Sequence, residues 1–166
     1  YDKLLYSEKK NKYEMQEIEH ALKLPKNSDI LDVGCGTGHQ VDLFNKKQHN
    51  CIGVDKSAAM VKKAKENYPE NNYEVKDVME SISYQPNSFD MITCFYFTIY
   101  YIEDKKSFLK NCMTWLVPGG YLVLHLVDRK KFDPIVPPAN PFVMVSAQKY
   151  AKKRITDSTV KFNNFT

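Results

Sequence analysis

ILDVGCGTGHQ, Ile30 to Gln40, is the most informative run in the chain. It joins a short apolar run to three of the chain's 6 glycines, Gly34, Gly36 and Gly38, with Asp32 just ahead of the first. DILDV reads as a buried strand, and Val41 and Phe44 beyond the glycines share one face of a helix. Strand, glycine turn and helix open a βαβ unit. One glycine suffices for a tight turn; three at alternate positions indicate backbone that must approach a ligand.

The pattern repeats outward from there. Before it, Met15, Ile18 and Leu22 mark an amphipathic helix that ends ahead of Pro25. After it, CIGVD is a second strand, and Ser57 caps a helix that turns Met60, Val61 and Ala64 inward. NYEV is a third strand and SFDMITCFYF a fourth, with Phe95 at its end and Phe97 facing core. Phe108, Leu109, Cys112 and Leu116 mark a helix closed by VPGG, and YLVLHLV is a fifth strand that contains His125. Strands alternating with helices predict an α/β fold, a doubly wound and mostly parallel sheet with helices on both faces. FDPIVPPANP reads as a loop, and STVKFNNF alternates like an antiparallel strand.

A chain of 166 residues fits a single domain, spanning 1–166. Its expected parts are an N-terminal helical cap (1–28), a cofactor-binding core (29–127) and a substrate-side segment (128–166). The start at Tyr1 and the end at FNNFT read as those of a fragment. A net charge of +4, with lysines spread along helical segments such as VKKAKENY, suits a solvated face rather than a nucleic-acid footprint. No apolar run approaches the ~20 residues of a membrane span. Cys35, Cys51, Cys94 and Cys112 lack metal-ligand spacing, so reduced thiols in a cytoplasmic protein without a metal are expected.

The glycine spacing and its acid define the ligand. Dinucleotide loops use G-x-G-x-x-G, whereas this loop is G-x-G-x-G, and no P-loop motif occurs. A carboxylate at Asp32 would repel a pyrophosphate and hold an ammonium group. Asp55 closes the second strand, where a carboxylate can accept both hydroxyls of a ribose. Asp77 follows the third strand, in reach of an adenine amino group. The three acids describe a nucleoside ligand with a cationic end and no phosphates.

At these residues the chain resembles a known family. LDVGCGTG, GVDKSAAM, VKDVME, FDMITCFYFTIYYIED and LVPGGYLVL are similar to the successive motifs of class I S-adenosylmethionine-dependent methyltransferases. The resemblance runs from about Asp29 to Val127 and implies a Rossmann-like sheet with S-adenosylmethionine as cofactor. It implies that Asp32, Gly34, Cys35, Gly36 and Gly38 hold the methionine end, Asp55 the ribose, and Asp77 with Val78 the adenine. Phe95 would offer its carbonyl to the cofactor's ammonium. Lys56 stands where the family carries an apolar residue over the adenine, a task its stem or Met60 would take. The opening segment and the β-rich tail look more like small-molecule N-methyltransferases acting on sugar amines or amino acids. The family's sheet closes with sixth and seventh strands; STVKFNNF is expected to supply the first, and the last is expected to be missing.

Substrate classes then narrow. CFYF stands where amino-methylating DNA enzymes carry a Pro-Pro tetrad, and no Pro-Cys nucleophile is present. No basic stripe interleaved with aromatics suggests RNA. A small-molecule acceptor is expected, an amine before a hydroxyl. Tyr100 and Tyr101, where many relatives carry histidine, are expected to contact it, because aromatic faces attract cations. His125, Glu103 and Asp128 are further candidates for taking its proton. Two other readings stay open: a cofactor-binding module without turnover, and a dinucleotide oxidoreductase with a deviant loop.

Overall fold

A computed structural model describes residues 8–80 and 83–127, with the side chains of Glu8 and Lys10 excepted. Val127 apart, these belong to one compact unit that runs to Leu126. The whole expected substrate-side segment, 128–166, lies outside the described residues, and with it Asp128 and the expected strand STVKFNNF.

The elements run α1 (Glu8–Leu22), β1 (Asp29–Val33), α2 (His39–Lys46), β2 (Asn50–Asp55), α3 (Ala58–Asn67), β3 (Asn72–Val75), β4 (Phe89–Cys94), α4 (Thr98–Tyr101), α5 (Lys105–Trp115) and β5 (Leu116–Leu124). The five strands form one sheet in the order β3-β2-β1-β4-β5, with every pairing parallel. The order reverses between β1 and β4, and β1 at the centre pairs with β2 and β4 along its length.

Alternation along β1 splits the core in two. Ile30 joins Met15, Val41 and Phe44 in one fully buried cluster, which α1 and α2 cover. Leu31 and Val33 join Ile92, Phe108 and Trp115 in the cluster of the other face. Side chains of this size contribute roughly 1.5–3 kcal/mol each when fully buried, so both helical layers are firmly held. Ser57 Oγ accepts from Met60 N at 3.4 Å to cap α3, and Asp104 Oδ1 accepts from Ser107 N at 3.0 Å to cap α5. The four cysteines are buried and free. Among the described residues no helix is long and apolar enough to cross a membrane.

Three boundaries differ from the sequence reading. The fourth strand stops at Cys94, one residue short of Phe95, because Tyr96 and Phe97 turn into the left-handed region with φ of 46° and 66°. Phe97 is consequently 39% exposed rather than core. The VPGG segment does not close a helix; α5 ends at Trp115 and β5 runs through it. A register shift between Phe89 and Met91 absorbs that segment, with Gly119 at φ +84°. The fifth strand ends at Leu124, so His125 follows it rather than lying inside it.

Candidate active site

The glycine loop is shaped by the side chains packed against it. Gly34 has φ +70°, and a Cβ there would stand 2.4 Å from Thr98 Cγ2. Gly38 has φ +89°, and a Cβ there would stand 2.5 Å from the Tyr73 hydroxyl oxygen. Neither position admits a side chain without movement. Gly34 N and Cys35 N both donate to Val54 O, at 2.8 and 3.0 Å, which ties the loop to β2.

Asp55 completes that tie. Its Oδ2 accepts from Gly36 N at 3.0 Å and its Oδ1 from Ser57 N at 2.9 Å, so one carboxylate braces the loop and the entry to α3. Lone pairs remain on both oxygens for further donors. Asp55 also lines a cavity of about 480 Å³ at the carboxyl ends of β1, β2 and β3. Gly34, Lys56, Asp77, Val78 and Tyr101 share its wall. Asp77 Oδ1 accepts from Met79 N at 2.9 Å, which fixes the carboxylate at the cavity's edge. Acid acceptors beside the apolar Val33, Val54 and Ile102 suit the hydroxyls and flat ring of a nucleoside.

Asp32 lies beneath this surface. It is 3% exposed and accepts from Thr93 Oγ1 at 2.7 Å, and no cation pairs with it among the described residues. Burial pushes its carboxyl up to about 7, against the stabilising Thr93 hydroxyl, and the charge of Asp55 adds to the rise. A buried acid without a counter-ion, behind a glycine loop, fits a ligand that brings a cation.

Other expected residues take different places. Met60 is half-buried in the first turn of α3 and does not line the cavity, whereas Lys56, ahead of the cap, does. Cys35 is buried, and burial, with Asp32 and Asp55 nearby, holds its thiol far above the ordinary range. Phe95 O accepts from Thr98 N at 3.0 Å, which leaves it one lone pair for an ammonium group. Tyr101, 78% exposed, stands at the cavity rim. Tyr100 and His125 do not line the cavity. They flank Phe97, whose ring centroid lies 6.3 Å from Tyr100 and 5.0 Å from His125. Sequence reasoning passed over Thr93 and Thr98. Thr93 is legible only through its pairing with Asp32 across β1 and β4.

Residues 31–124 match the family described as "Methyltransferase domain". The chain is 30% identical over 123 residues to a ubiquinone biosynthesis O-methyltransferase of Coxiella burnetii, covering 72% of this chain and 51% of that one. It is 32% identical over 106 residues to a dTDP-4-amino-2,3,4,6-tetradeoxy-D-glucose N,N-dimethyltransferase of Saccharopolyspora spinosa, covering 62% and 42%. The chain thus spans about half the length of the curated relatives it matches. In fold it is similar to a putative sarcosine dimethylglycine methyltransferase of Galdieria sulphuraria, with TM-score 0.63 at 18% identity over 70% of this chain and 46% of that one. The YcgJ protein of Bacillus subtilis gives a TM-score of 0.61 at 23% identity over 68% and 50%. The chain belongs to the methyltransferase-domain family of class I S-adenosylmethionine-dependent methyltransferases, and its cofactor is S-adenosylmethionine.

Proposed function

We propose that the protein containing this chain methylates a small-molecule amine. The observation that carries the amine reading is the aromatic group Phe97, Tyr100 and His125, beyond the ends of β4 and β5. Phe97 and Tyr100 are 39% and 49% exposed, so their rings are open to a ligand. Aromatic faces attract a nitrogen that gains substituents and positive charge, at ~0.5–2 kcal/mol each. The relative from Saccharopolyspora, an N,N-dimethyltransferase by name, supports a nitrogen acceptor.

Bound S-adenosylmethionine supplies an already activated methyl group. The chain's residues then have three tasks. Asp55 and Asp77 accept from the ribose and adenine, while Asp32 and the Gly34–Gly38 loop hold the methionine end. Phe97 and Tyr100 orient the acceptor for in-line approach, and orientation alone supplies several kcal/mol. His125 takes the acceptor's proton.

An oxygen acceptor is the second reading. The O-methyltransferase of Coxiella favours it, and a hydroxyl acceptor would depend more on a base such as His125. Turnover of full-length protein with paired amine and alcohol acceptors separates the two. Tyr100→Ala is expected to lower turnover while S-adenosylhomocysteine affinity stays within about threefold, whereas Tyr101→Ala, on the wall of the nucleoside cavity, is expected to lower turnover together with that affinity. Normal turnover in both variants would remove the tyrosines from the acceptor site.

A further inference from the structure

The hydroxyl of Thr93 has two possible partners. Its Oγ1 lies 2.7 Å from Asp32 Oδ1 and 3.5 Å from Leu31 O, and the residue is fully buried. With Asp32 ionised, Thr93 donates to the carboxylate. With Asp32 neutral, the acid proton can be donated to Thr93 Oγ1 while the threonine hydrogen turns to Leu31 O. One rotating hydroxyl therefore serves both states.

The surroundings favour the neutral state in the free protein. Cys35 in the loop, Cys51 and Asp55 on β2, and Cys94 on β4 are the titratable groups that face Asp32. Burial holds all three thiols well above their ordinary range, so they are uncharged at neutral pH. The remaining charge, on Asp55, repels a carboxylate. A buried carboxylate with no cation is costly, and protonation removes the cost.

We infer that Asp32 rests as a neutral acid in the free protein and ionises when the cofactor's ammonium arrives, releasing one proton to solvent, with Thr93 as the positioning residue that turns its hydroxyl to the new carboxylate. Cofactor binding is then a proton-coupled exchange, tighter as pH rises. This rests on the reading that Asp32 faces the methionine end of the cofactor.

Calorimetry of full-length protein with S-adenosylhomocysteine tests it, in buffers of differing ionisation enthalpy. About one proton should be released per ligand at pH near 6, declining toward none near pH 8. Thr93→Val removes the donor to the carboxylate, so release should persist to higher pH and affinity near pH 7 should fall several-fold. Thr93→Ser should restore both. Normal binding without proton release at any pH overturns the inference and leaves the cofactor site standing. A Thr93→Val profile superimposable on the unsubstituted one overturns the role of Thr93. Absence of binding at every pH overturns the site reading as well. The unsubstituted protein's proton count decides the central claim even if the valine variant does not fold.

Discussion

Asp32 carries opposed demands. Its carboxyl, raised to about 7 in the fold, sits near 4 in an unfolded chain. The folded state therefore binds the proton more tightly. Its advantage is complete below about pH 4 and is lost as pH rises through about 7, by roughly 4 kcal/mol in the limit. Asp32→Asn keeps the shape and an oxygen for the Thr93 hydroxyl but cannot ionise. The cofactor-free variant is expected to be more stable than the parent at pH 8 and to differ far less at pH 4. Denaturant unfolding at the two pH values checks this. Equal differences at both would mean that Asp32 does not titrate in the fold. The same variant is expected to lose cofactor affinity, since an amide offers an ammonium group no charge.

The carboxylate of Asp55 joins the loop after β1 to the start of α3. Ser57→Ala removes only the cap on α3 and is expected to cost about 1 kcal/mol of stability with little change in affinity. Asp55→Ala removes the brace on Gly36 and the proposed acceptor for ribose together. It is expected to weaken binding by at least the 1–3 kcal/mol of lost charge-assisted bonds, and to lower the melting temperature more than Ser57→Ala does. Calorimetry and thermal unfolding of the pair check it, and unchanged affinity in the Asp55 variant would remove that residue from the site. The elements that hold Asp55 were legible because each boundary is local. DILDV and CIGVD are mostly apolar runs stopped by glycine or charge, and Ser57 is a recognisable cap. The end of β4 was not legible. TCFYF continues the β-favouring pattern, and nothing in it marks Tyr96 and Phe97 as left-handed. That bend is fixed by distant partners. The Tyr96 hydroxyl bonds Asn11 and, at 3.4 Å, Glu14, both on α1. VPGG misled for the converse reason. Pro and Gly usually end elements, but here β5 bulges opposite Asp90, between its pairings with Phe89 and Met91, and so admits them into a strand. The proposed acceptor residues are the least legible, since Phe97, Tyr100 and His125 meet through that bend.

Strand order decides where ligand binding is felt. The order reverses between β1 and β4, and the loops at that reversal carry the glycines, Phe95 and the aromatic turn. A ligand held by the glycine loop, Asp55 and Asp77 touches the carboxyl ends of β1, β2 and β3, and through Thr93 bears on β4. Most of the sheet is therefore coupled to one site. A ligand that binds only the folded state stabilises it by RT ln(1 + [L]/Kd), about 2.7 kcal/mol at a hundredfold excess over Kd. S-adenosylhomocysteine at that excess is expected to raise the melting temperature, by several degrees for a domain of this size. NAD at the same concentration is expected to leave it unchanged, because its pyrophosphate would face the acids of a loop spaced for a cation. The contrast between the two ligands matters more than the size of either shift, since both bring adenosine. A shift with NAD alone would mean that the acids at the strand ends accept a phosphate-bearing ligand. The charge argument built on Asp32, Asp55 and Asp77 would then fail with it.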